Sequence, residues 1–213
     1  MRYAKMLALA AVAAGALMAF IGAGTASATV LCSTTKEPCP KTQDVPAGTV
    51  FHLTNTGTTL LTDTTGEPLD TCTISTVKGK TTNTGGPLET VLLGVEKLLW
   101  EGCTFPTKTL KATDLEIHKI AGTSNGTVTA GGTFEVTINT VFFGSCIYGV
   151  TKGVSIGELT EGKPAIFHAN NALAEKFSGS SLACPETSLW TSTYTVTEPK
   201  ETTISVQEKA EGQ

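Results

Sequence analysis

The sequence has no cluster of basic residues, no second long apolar run and no pair of cysteines at C-x2-C or C-x4-C spacing, and each absence removes a class of function. Nucleic acid is bound by Lys and Arg neutralising phosphates, and anionic membrane surfaces attract the same polybasic segments. With 15 Lys+Arg against 19 Asp+Glu in 213 residues, neither partner is expected. A spanning helix needs about 20 consecutive apolar residues, and beyond the N-terminus no such run occurs. Zinc sites bring cysteines at C-x2-C or C-x4-C spacing, and neither spacing occurs among the six cysteines. No cofactor is expected.

What is present begins at the N-terminus. Arg2 and Lys5 precede an apolar stretch from Met6 to Gly24, which closes on Ala26-Ser27-Ala28. A short positive start, an apolar centre and a small-x-small end form a signal peptide, with cleavage expected after Ala28. The length of the stretch alone also fits a retained anchor. A lipoprotein signal is excluded, because Cys32 follows Leu31 and not a small residue. The chain is therefore expected to be secreted, with a mature part of 185 residues carrying thirteen basic and nineteen acidic residues. That length fits one domain over 29–206, with room for an N-terminal subdomain over 29–70. The polar stretch 207–213 reads as a frayed tail.

All six cysteines, Cys32, Cys39, Cys72, Cys103, Cys146 and Cys184, fall in the exported part. In that compartment they make disulfides, and fifteen pairings of six are open. The sequential set is the expected one. Cys32–Cys39 closes a short loop around Pro38, and the other two pairs join segments at the separation of neighbouring β units. Threonine supplies 38 of the 185 mature residues, and β-branched side chains favour pleated surfaces. Glycine-bearing turn pairs recur at short spacing, at Thr56-Gly57, Gly85-Gly86, Asn125-Gly126 and Gly131-Gly132. Together these predict an all-β, disulfide-stapled antiparallel sandwich or barrel-like fold.

Strands are predicted at Val50–Thr54, Leu60–Thr64, Thr71–Val77, Phe142–Tyr148, Ala165–Ala169 and Ser188–Thr197. Asn125-Gly126 signals a type I′ hairpin, entered by a strand with Leu115 and Ile117 on one face and Asp114, Glu116 and His118 on the other. Phe134, Val136 and Ile138 alternate as a half-buried strand. Leu88, Val91, Leu92, Val95, Leu98 and Leu99 recur at helical spacing, and a broken strand pair explains the same residues. Strand is favoured for 97–105, and 88–94 stays open. A second short helix is admitted at 171–177.

Leu115-Glu-Ile-His118, the run Ala-Gly-Thr-Ser-Asn-Gly-Thr over 121–127, Cys146-Ile-Tyr-Gly149, Ala183-Cys-Pro185 and the closing Trp190-Thr-Ser-Thr-Tyr-Thr-Val196 resemble a set of uncharacterised secreted β-rich proteins of soil actinobacteria. The resemblance spans about residues 70–198. It implies the fold and the compartment, and the family has no assigned activity to carry over.

Few motifs carry chemistry. Gly153-Val-Ser-Ile-Gly157 matches the nucleophile-elbow pattern, but no helical pattern succeeds it as that mechanism requires. Glu116 and His118 lie two apart on one strand face, a spacing that suits a metal or a base with its orienter. A metal there would need a third ligand such as His52 or His168. The simpler reading is the solvent-facing edge of a half-buried strand. Trp100 and Trp190 read as core aromatics more readily than as a platform for sugar. Asn125-Gly126-Thr127 fits a glycosylation sequon and is already explained as a turn. The expected protein is a non-catalytic extracellular or cell-surface module binding envelope polymer, glycan or another protein. The alternatives are a self-associating matrix or coat component, and an extracellular hydrolase or metal-dependent enzyme built on Glu116 and His118.

Overall fold

The computed structural model describes residues 29–86 and 89–209, so the leader expected over 1–28 lies outside the described residues. Fourteen strands succeed one another along them: β1 (Thr29–Cys32), β2 (Val50–Asn55), β3 (Thr59–Thr62), β4 (Pro68–Thr81), β5 (Val91–Cys103), β6 (Thr107–Lys111), β7 (Leu115–Lys119), β8 (Gly126–Ala130), β9 (Phe134–Thr140), β10 (Gly144–Val150), β11 (Ser155–Thr160), β12 (Ile166–Lys176), β13 (Thr187–Glu198) and β14 (Ser205–Glu208). One 3₁₀ turn, Lys41–Gln43, is the only helical element among the described residues. The protein is all-β, and of the two forms open to the sequence it takes the barrel.

Four long strands, β4, β5, β12 and β13, serve as full-length staves. At one end β2 fills the space between β13 and β4. There β7, β8 and β11 lead from β5 round to β12. This closes an eight-stranded antiparallel barrel in the order β4-β5-β7-β8-β11-β12-β13-β2. Towards the other end β3 takes over from β2 between the same two neighbours. From the far half of β12, strands β10, β9 and β6 extend in that order. β6 returns to β5 through side chains: Trp100 Nε1 donates to Thr109 Oγ1 at 3.0 Å, and Thr109 Oγ1 donates to the carbonyl of Leu98 at 3.1 Å. No ladder joins β5 to β6 among the described residues, so the wall has a seam there.

Side chains alternate across a strand, and in a barrel one parity faces inward. On β13 the inward set is Ser188, Trp190, Ser192, Tyr194 and Val196, all buried except the half-buried Trp190. Two bulges change this parity and explain why the sequence looked helical. Lys78 pairs Lys97 while Gly79 pairs Val95, so β5 holds one extra residue at Glu96. The inward series therefore jumps from Val95 to Leu98, a spacing of three. On β12 the register shifts between Ala169 and Ala172, with Asn171 at φ 51°, and the segment expected as a helix at 171–177 is strand through Lys176. A bulge adds a residue without reversing the strand, and an i, i+3 step results. Leu88 lies outside the described residues.

The turn at Asn125-Gly126 also differs from expectation. Lys119 pairs Gly126, so the connection is a six-residue loop, with Gly122 at φ +74°, and Gly126 already belongs to β8. A Cβ on Gly126 would come within 2.9 Å of side-chain carbons of Ile117 and Val206. The glycine serves close packing against β14 and not a type I′ turn.

β1 and β14 pair into a two-stranded ribbon that covers the first end of the barrel. Leu31, Ile204 and Val206 are fully buried in the main core. The Lys119 ammonium is almost wholly buried under this ribbon, 3.0 Å from Glu37 and in contact with the carbonyl of Thr123. The tail expected to fray from Gln207 is strand at its start. Gln207 is 0% exposed, and its amide donates to the carbonyl of Thr34 at 2.6 Å. The three disulfides are Cys32–Cys39, Cys72–Cys103 and Cys146–Cys184, the sequential set. The second links directly opposed residues of β4 and β5.

Candidate functional site

The sequence pointed to Glu116 and His118, and the structure does bring them together on the outer face of β7. His118 Nε2 lies 3.7 Å from a Glu116 oxygen and 3.1 Å from Thr129 Oγ1. Lys152 approaches the other Glu116 oxygen at 3.8 Å. His52 and His168 stand on other staves: His52 pairs with Lys78 and Glu198, and His168 Nδ1 lies 3.3 Å from Thr193 Oγ1. The arrangement is a polar cross-strand ladder in which lysine and hydroxyl occupy the positions that further ligands would take. Among the described residues, Asp70, Cys72 and Cys103 come close enough to share an ion, but both sulfurs are bonded to each other. Ser155 opens β11 on the exposed face, after a turn at Gly153. A strand comes next where a nucleophile elbow needs a helix. The Asn125 amide donates to Glu158 at 2.8 Å.

The two tryptophans lead elsewhere. Trp100 and Trp190 meet edge-to-face with ring centroids 6.3 Å apart. Trp190 also packs against Phe167 at 6.3 Å and Tyr194 at 6.1 Å. Such contacts contribute about 0.5–1.5 kcal/mol each beyond burial. These rings form the waist of the barrel, where the β2 end passes into the β3 end, and they border an internal cavity of about 140 Å³. Leu93, Ile117, Val128, Phe134 and Phe167 line it along with both tryptophans. Its surface is almost entirely apolar. Leu31 of the covering ribbon reaches the cavity at one end, and Asp70 and Cys72 reach it at the other.

A small residue at an inward position helps to leave this space. Ala174 of β12 lines it, where a larger side chain would fill the barrel, whereas Gly149 of β10 makes room for the carbonyl of Phe134, 2.1 Å from where its Cβ would stand. Apart from the Trp190 indole N–H, which has no hydrogen-bond partner among the described residues, the few polar groups in the wall are committed. Asp70 is 4% exposed, and its carboxylate accepts from the amides of Thr71 at 2.9 Å and Phe105 at 3.1 Å, and from the Thr107 hydroxyl. The Tyr148 hydroxyl donates to the carbonyl of Pro185 at 3.1 Å. Burial, with Glu186 and Asp63 adding negative charge nearby, pushes its pKa up to about 12. Just behind the wall, Tyr194 and Ser75 share a buried hydrogen bond of 2.7 Å, and burial raises the Tyr194 phenol above its usual range. Such a wall suits desolvating an apolar molecule.

Alternation in β7, β9 and β13 marked many of these side chains as core. That they surround a space and do not close on one another owes something to Ala174, whose small size was the one available signal. Compared with protein-family models, curated proteins and solved structures, the chain matches none.

Proposed function

We propose that this protein is an exported, non-catalytic binding module that holds a small apolar molecule inside its barrel. The observation that carries the reading is the cavity of about 140 Å³ walled by apolar side chains. An apolar cavity near 150 Å³ stays dry and accepts a benzene-sized guest. Export is supported by the leader-like first 28 residues and by three disulfides, which persist in oxidising compartments. The polarity of the barrel's outer face supports a barrel working in water. A lipid-embedded barrel turns apolar side chains outward, whereas here Lys78, Lys80, His168, Asn170 and Glu175 face out and are exposed. The seam between β5 and β6 offers a route for the guest, because side-chain bonds there yield more readily than a ladder. Both tryptophans are half-buried and line the cavity, which favours an internal guest over a glycan stacked on the surface.

The test uses the mature, oxidised chain and toluene. Both tryptophans line the cavity, so intrinsic fluorescence reports occupancy directly. Toluene is expected to perturb tryptophan emission saturably and to raise the melting temperature, since a ligand at about 100 Kd adds about 2.7 kcal/mol to stability. Unchanged emission and unchanged melting would reject the reading.

A further inference from the structure

Among the described residues, the three most exposed large apolar side chains are Val141 at 79%, Phe142 at 80% and Leu182 at 98%. They lie on two turns at the end of the barrel away from the covering ribbon. Val141 and Phe142 belong to the three-residue turn between β9 and β10, where Thr140 pairs Gly144. Leu182 lies in the connection from β12 to β13. Turns ordinarily take Gly, Asn, Asp, Ser or Pro at such positions, and natural chains break local rules of this kind at functional sites. Neither turn is loose. The Phe143 amide donates to Thr140 Oγ1 at 2.8 Å. Phe143 itself packs inward against the cluster that includes Ile138, Cys146 and Tyr148, which leaves Val141 and Phe142 outside. The Ile147 amide donates to Ser180 Oγ at 2.8 Å, and the Ser181 amide donates to the Ser145 carbonyl at 2.8 Å. With Cys146–Cys184 closing the joint, the two turns form one fixed protrusion.

We infer that this protrusion is a lipid-surface contact: Val141, Phe142 and Leu182 enter the interface of a bilayer without net charge while the barrel stays in water. A formal charge resists transfer out of water, and no charged residue occurs over 136–151 or 177–185. Lys176 and Glu186, which bracket the second turn, are paired with each other. A protein partner fits less well. A specific protein interface uses about 20–30 residues a side, and three side chains on a convex tip fall well short of that. Binding to a bilayer interface scales instead with the apolar area buried, plus any attraction to anionic lipid. With thirteen basic and nineteen acidic residues in the mature part, the chain gains no such attraction, so a zwitterionic surface is the matching one. The polar outer face, exposed at Lys78, Lys80 and Glu175, limits entry to the tips. The site is separate from the internal cavity and does not depend on its being filled.

The experiment centrifuges the mature, oxidised chain with sucrose-loaded vesicles of phosphatidylcholine. The parent protein is expected to sediment with them, and to do so less when phosphatidylserine is added at low salt. Phe142→Ser and Leu182→Ser are each expected to lower partitioning about tenfold, the factor that withdrawing one large apolar side chain supplies. Their melting temperatures are expected to match the parent, because both side chains have little packing to lose. Val50, 53% exposed and paired with Lys80 at the opposite end of the barrel, provides the control: Val50→Ser is expected to partition like the parent. A parent protein that stays in the supernatant overturns the inference, and so does partitioning that is the same in Phe142→Ser and the parent. If vesicles are not bound and the two serine substitutions instead abolish a concentration-dependent dimer, the protrusion is a contact between copies and the inference is likewise overturned.

Discussion

Single residues show how this barrel tolerates polar atoms. Tyr194 is 0% exposed, and its hydroxyl is matched by Ser75, while Thr59 and Ser192 pair beside it at 2.8 Å. Hydroxyls that satisfy one another can be buried at little cost. Asp63 works at the surface instead. Its carboxylate accepts from the Thr65 hydroxyl at 2.6 Å, the Thr65 amide at 2.8 Å and the Glu67 amide at 3.0 Å, which shapes the turn between β3 and β4. The Thr65 hydroxyl leads in holding its pKa below the ordinary 3.8. A lowered folded pKa means that the unfolded chain takes up the proton first on acidification. The stability Asp63 contributes is thus present above 3.8 and lost as pH falls through the lower folded value. Asp63→Ala is expected to melt slightly below the parent at neutral pH, with the gap closing in that acidic window. Melting curves across pH check this, and a gap independent of pH would refute it.

At the scale of elements, the strands set where the disulfides act. Cys72–Cys103 closes a span of 31 residues between neighbouring staves, and Cys32–Cys39 closes a span of 7 in the covering ribbon. The loss of chain entropy in the unfolded state scales with the logarithm of loop length. Replacing both cysteines with alanine is therefore expected to cost about 3.5 kcal/mol for the longer loop and about 2.5 kcal/mol for the shorter. Urea unfolding of the two double variants measures the order, and a larger loss from the shorter loop would refute the argument. Strand elements were readable wherever alternation ran unbroken, as over Leu115–Lys119 and Phe134–Thr140. They were ambiguous around Glu96 and admitted as a helix from Asn171, because a one-residue bulge turns period two into a local step of three, which is the helical signature. β1, β6, β11 and β14 lacked a signal, being four to six residues long and rich in polar or small side chains.

For the molecule as a whole, the two ends of the barrel are not separable. Each uses its own short strands, yet β4, β5, β12 and β13 pass through both, and residues 29–70 contribute β2 and β3 to the wall as well as β1 to the covering ribbon. Unfolding one end would strip partners from staves that also form the other. The oxidised protein is expected to unfold in a single calorimetric transition with equal calorimetric and van't Hoff enthalpies, and two resolved transitions would contradict the shared staves. By itself the sequence determined the features that local chemistry dictates: cysteines at separations suited to neighbouring β units, Thr-rich alternating strands and a chain without basic clusters. Composition and periodicity of neighbouring residues suffice for these. Only the tertiary structure decided that the sheet closes on itself, that Gly126 makes room for β14, and that both tryptophans look inward onto an apolar space. Those outcomes depend on registers between strands far apart in the chain, such as β2 with β13. No local pattern encodes such a register, because the long-range packing of inward side chains selects it.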